Sequence, residues 1–68
     1  MDKIILRIKE LREEKELTQM QLAKELGFSR NTISQYERGE REPDFQTLKK
    51  LCDFFEVTSD YLLGFEDL

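Results

Sequence analysis

Arg30, Asn31, Ser34, Gln35 and Arg38 are the side chains in this sequence whose types and spacing most directly suggest chemistry. At 100° per residue they share one side of a helix whose opposite side holds Ile33 and Tyr36. An arginine can bridge O6 and N7 of guanine, and asparagine or glutamine can bridge N6 and N7 of adenine, so this face suits the major groove of DNA. With 15 acids among 68 residues, the lack of a carboxylate at five positions carries little weight by itself. Other chemistry is scarce. Histidine is absent and Cys52 stands alone, which removes intramolecular disulfides, Cys/His zinc sites and nucleophiles activated by an imidazole. No metal, cofactor or enzymatic activity is expected.

The elements that must position this face follow from size and helix signals. Sixty-eight residues make one domain, with 38% apolar and 38% charged side chains. The longest apolar runs, Ile4-Ile5-Leu6 and Tyr61-Leu62-Leu63, are far too short to span a membrane, so a cytoplasmic location is expected. Without disulfides or metal, a domain this small needs well-capped, closely packed helices, or dimerisation. Helix starts recur as an apolar residue, then Ser, Thr or Asp, then an apolar residue five positions after the first: Leu17-Thr18 with Leu22, Phe28-Ser29 with Ile33, Val57-Thr58 with Leu62, and more weakly Pro43-Asp44 with Leu48. Thr18 and Gln21 also fit a capping box.

The first helix is read from about Asp2 to Glu14 on the stripe Ile4, Ile8, Leu11. The second runs from Thr18 to Leu26 and ends at Gly27; the third runs from Ser29 to about Arg38 and ends at Gly39. A fourth carries Phe45, Leu48, Leu51, Cys52 and Phe55 as its core stripe, and a short fifth carries Tyr61, Leu62 and Leu63 before Gly64. The predicted fold is all-α, a compact five-helix bundle with a helix-turn-helix formed by helices 2 and 3. In the motif of residues 19–38, Ala23 must be small where the next helix crosses, and Leu22, Leu26, Phe28, Ile33 and Tyr36 form the wedge between helices.

This stretch resembles the Cro/phage-repressor-like helix-turn-helix family, also called the XRE family. The likeness extends from Ile4 to Gly64 through Leu11-Arg12, Leu17-Thr18-Gln19, Tyr36-Glu37-Arg38-Gly39, Arg41-Glu42-Pro43 and Asp60-Tyr61-Leu62-Leu63-Gly64. It implies a lambda repressor-like DNA-binding domain, with Arg30, Asn31, Ser34 and Gln35 at base edges. Gln19, Arg38 and Arg41 are assigned to phosphates: the family's matching glutamine and the loop after its recognition helix lie at the DNA backbone. The resemblance also pairs Arg12 with Glu37 and puts a dimer contact around the fifth helix, where Phe54, Tyr61 and Phe65 would supply aromatic anchors. Glu16 and Glu56 stand where the family often has Gly or Asn, so each must tolerate a left-handed conformation.

The net charge of −4 is, taken as a whole, ill-suited to a polyanion, but its distribution answers the objection. Residues 1–17 and 18–43 are each balanced, 44–52 are slightly basic, and the acidic segment 53–68 holds five acids and no base. Besides this balance, the helix start at Thr18 leaves the amides of Gln19 and Met20 for a phosphate. The expected function is sequence-specific binding of double-stranded DNA as a transcriptional regulator, most simply a repressor, dimeric on a two-fold operator. The alternative is an antitoxin or phage-type interaction module that holds a protein partner through the acidic C-terminal end, where Glu66 and Asp67 lie.

Overall fold

The computed structural model describes residues 7–65, and within them the fold is all-α. The elements are α1 (Ile8–Glu14), α2 (Gln19–Leu26), α3 (Arg30–Glu37), α4 (Phe45–Phe55) and α5 (Ser59–Leu62). The expected start of the first helix at Asp2, with Ile4, lies outside the described residues, as do Glu66 and Asp67.

Local capping chemistry explains where the elements begin. The Thr18 hydroxyl accepts from the Gln21 amide at 3.1 Å while Gln21 Oε1 accepts from the Thr18 amide at 2.8 Å, which closes the capping box. Ser29 accepts from Thr32 N, Asp44 from Thr47 N and Thr58 from Tyr61 N in the same way. Each such cap is worth ~1 kcal/mol, so four of five helix starts are fixed by residues within the first turn. At the far end of α2, Gly27 adopts φ 77°, and the amides of Gly27 and Phe28 both donate to the Ala23 carbonyl. That left-handed residue lets α3 begin after only three intervening residues.

The core is shared by all five helices: Ile8 and Leu11 from α1, Leu22, Ala23 and Leu26 from α2, Ile33 and Tyr36 from α3, Leu51 and Phe55 from α4, and Tyr61 and Leu62 from α5. Phe28 packs its edge against Tyr36 with ring centroids 6.4 Å apart, completing the wedge between α2 and α3. Two polar links join distant parts of the chain. The Arg7 amide donates to the Leu62 carbonyl at 2.9 Å, and Lys50 Nζ donates to the Leu26 carbonyl at 2.8 Å, where the C-terminal end of α2 favours a cation.

One core assignment is corrected. Phe45, expected on the buried stripe of α4, is 79% exposed. It is the first residue of its helix, and side chains at a helix start point back beyond the N-terminus, away from the body against which Leu51 and Phe55 pack.

Candidate nucleic-acid interface

The arrangement begins with Arg12 on α1. Its Nε donates to Glu37 Oε2 at 2.7 Å, its Nη2 to Glu37 Oε1 at 3.2 Å, and its Nη1 to the Leu17 carbonyl at 2.7 Å. The two side chains are 11% and 5% exposed, so the pair is largely withdrawn from water. Hydrogen bonding to Glu37 raises the Arg12 pKa above its ordinary value despite the opposing effect of burial. Glu37 ends α3, so this fork fixes the helix against α1 and the turn into α2. Gln19 joins the same carboxylate: its Nε2 donates to Glu37 Oε1 at 3.0 Å, and its Oε1 accepts from Arg30 Nη1 at 3.2 Å.

Of the residues assigned to base edges, Arg30 and Asn31 are exposed on α3 and Gln35 is half-buried on the same side. Ser34 departs from expectation: it is 8% exposed, and Arg38 Nη1 donates to its hydroxyl. A serine side chain stays close to the helix axis, and Arg38, one turn later, runs back over it as long helical side chains do. Ser34 therefore presents little surface to a groove.

The residues assigned to phosphates are also more engaged than the sequence indicates. Arg38 Nε donates to Glu40 Oε2 at 2.7 Å and Nη2 to Oε1 at 3.1 Å, a two-point pair in which both side chains remain about half exposed. That carboxylate holds the Arg38 pKa above its ordinary value, chiefly through the hydrogen bonds. Arg41 is exposed, its guanidinium 6.0 Å from the centre of the Tyr36 ring. Gln19 stands at the first position of α2, where the Thr18 cap has taken the Gln21 amide and those of Gln19 and Met20 face outward.

At the opposite end, Tyr61 requires a correction as a dimer anchor. It is 7% exposed, packed in the core with the Arg7 guanidinium 4.6 Å from its ring centre. As part of α5's inward face it is consumed by the monomer. Phe54 is half-buried, edge-on to Phe55 at 5.1 Å and beneath Lys15 Nζ at 5.7 Å. Phe65 is exposed. Sequence reasoning missed two features here: the Glu40 clamp on Arg38, and a groove of about 250 Å³ lined by Phe45, Leu48, Lys49, Cys52 and Ser59. The Arg-Gly-Glu spacing could have signalled the clamp.

No group of three or more His, Cys, Asp or Glu residues among those described could hold a metal ion, and none of the helices is long and apolar enough to cross a membrane. Burial pushes the Cys52 thiol's pKa up, away from nucleophilic chemistry.

Two helices joined through a left-handed glycine, with the second locked by its terminal carboxylate and lined with exposed amide and guanidinium groups, define a helix-turn-helix protein. The helix-turn-helix family model matches residues 8–62, and the chain belongs to that family. It is 42% identical to the HTH-type transcriptional regulator ImmR of Bacillus subtilis over 91% of this chain and 49% of that protein. It is 37% identical to the transcriptional repressor RstR of a cryptic CTXphi phage of Vibrio cholerae, over 75% of this chain and 46% of that protein. The chain thus spans about half the length of these relatives. The P22 c2 repressor, solved with a synthetic operator, superimposes with a TM-score of 0.81 at 37% identity, covering 88% of this chain and 91% of that one.

Proposed function

We propose that the chain binds double-stranded DNA in a sequence-specific manner as a transcriptional regulator, with α3 in the major groove. The observation that carries this is the face of exposed Arg30 and Asn31 and half-buried Gln35 on a helix fixed by the Arg12–Glu37 fork. These side chains have the donor and acceptor patterns that read bases, and a rigid helix lets them do so without first being ordered. The outward amides at the start of α2, together with Gln19, Arg38 and Arg41, serve the phosphates; Arg38 does so by exchanging Glu40 for a phosphate oxygen. Repression is the mode that the RstR and P22 c2 names support, and a cytoplasmic location fits that activity.

One domain of this size reads few base pairs, so the reading includes a homodimer on a two-fold operator. With Tyr61 buried, the contact falls to Phe65 and the exposed part of Phe54. Such a small surface gives weak association that DNA strengthens. The alternative of a protein-interaction module is not favoured, since the relatives quoted are named as regulators of transcription. Selection of binding sites from random duplex DNA tests the proposal: a recovered two-fold sequence supports it, and recovery of no sequence above the random pool refutes it.

A further inference from the structure

Resting on the DNA-binding reading, we infer that the Met20 thioether is a site of reversible oxidation by peroxide, and that its sulfoxide loosens the hold of α2 on a phosphate. Among the described residues two side chains carry sulfur, and their settings differ. Cys52 is half-buried and burial raises its thiol pKa, so little of the thiolate that attacks an oxidant is present near neutral pH. A thioether has no proton to lose and needs only access. Met20 has that access: it is 59% exposed and stands outside the core cluster. The other methionine of the sequence, Met1, lies outside the described residues.

Position gives the reaction a consequence. Met20 is the second residue of α2, and because the Thr18 hydroxyl takes the Gln21 amide, the Met20 amide is one of the two outward N–H groups assigned above to a phosphate. Helical side chains lean toward the N-terminus of their helix, so the thioether lies beside those amides. In the reaction a sulfur lone pair attacks a peroxide oxygen, the O–O bond breaks, an S–O bond forms and water leaves; sulfur gives up two electrons and the peroxide accepts them. The new oxygen carries partial negative charge and accepts hydrogen bonds. It takes the first-turn amides from the phosphate or stands acceptor to acceptor against it, and both weaken the contact. The neighbouring Gln19 side chain remains held by Glu37 and Arg30. Since no side chain of α3 is altered, the loss falls on every DNA sequence alike.

The test compares wild type, Met20→Leu and Cys52→Ser each with its own peroxide-treated form. Oxidation at each sulfur is read by peptide mass spectrometry, and binding by titration on the selected operator and on a random duplex. Met20 of wild type should gain one oxygen at a rate within a few-fold of a free methionine amide. Affinity should then fall by about 2- to 5-fold per protomer, the range that one anion at a helix start commands, by the same factor on both duplexes and with the chain still folded by circular dichroism. Cys52→Ser should lose as much, Met20→Leu should lose none, and methionine sulfoxide reductases acting on both epimers should restore wild type. The inference is overturned if Met20 resists peroxide that oxidises the free amide, or if its full conversion leaves binding intact. It is overturned equally if Met20→Leu loses as much as wild type, or if binding is lost only because the chain unfolds. Failure of untreated wild type to hold any duplex would instead overturn the DNA-binding reading, while the mass measurement still reports on the thioether.

Discussion

In the half built from α1, α2 and α3, polar groups are spent on fixing geometry: one carboxylate takes three hydrogen bonds from two side chains, and the capping box and Gly27 set both ends of α2. In the half built from α4 and α5, apolar groups are left facing water, with Phe45 and Phe65 exposed and a groove between α4 and the start of α5. The contrast separates two requirements. A surface that reads another molecule atom by atom must be held still, whereas a surface that associates through area needs exposed rings more than fixed ones.

The sharpest way to break this contrast is Glu37→Ala. With Arg12 left largely buried and unpaired, unfolding free energy in urea should fall by about 3 kcal/mol, and Arg12→Ala added to it should restore part of the loss. Strictly additive losses would mean that the fork does not hold the first half together. Next in size, Asn31→Ala and Gln35→Ala should each cost about 1–3 kcal/mol on the selected operator and almost nothing on random duplexes, as read by titration at fixed salt. Equal losses on both would remove these residues from the base edges.

A smaller effect tests the clamp at the end of α3. Glu40→Gln should release Arg38, raise affinity for every duplex a few-fold, and steepen the slope of log K against log salt by about 0.9, one phosphate contact. Phe65→Ser should change unfolding free energy by less than about 0.5 kcal/mol, since the ring is solvated, yet reduce the sedimentation-detected dimer on operator DNA. The smallest effect concerns acid. Its backbone bond from Thr47 lowers the Asp44 pKa, so the cap's charge contribution is present above the usual carboxylate range and disappears as pH falls through the depressed folded value. Asp44→Asn keeps the cap and should flatten that acid limb in melts from about pH 5 down to about pH 2.

The same contrast explains what could be read from the sequence. Helix starts at Thr18, Ser29, Asp44 and Thr58 are decided within four residues, so spacing alone locates them. The 3.6-residue period locates Ile33, Tyr36, Leu51 and Phe55 on the core side for the same local reason. Ser34, Phe45 and Tyr61 escaped because their exposure depends on neighbours that periodicity does not register. Arg38 folds back over Ser34, the start of α4 overhangs the body, and Arg7 lies over Tyr61. The Gln19–Arg30 bond crosses eleven residues between two helices, and only the turn geometry brings its ends together.

Glu16 and Glu56 both sit at φ 57°, a left-handed conformation that disfavours any side chain bearing a Cβ. Asparagine tolerates that region better, so Glu16→Asn or Glu56→Asn should stabilise the chain by up to about 1 kcal/mol. Both residues are solvent-exposed and lie outside the α3 reading face. The fold thus holds a reserve of stability, reachable by single substitutions, that could absorb destabilising changes on α3 while a lineage drifts from one operator sequence to another.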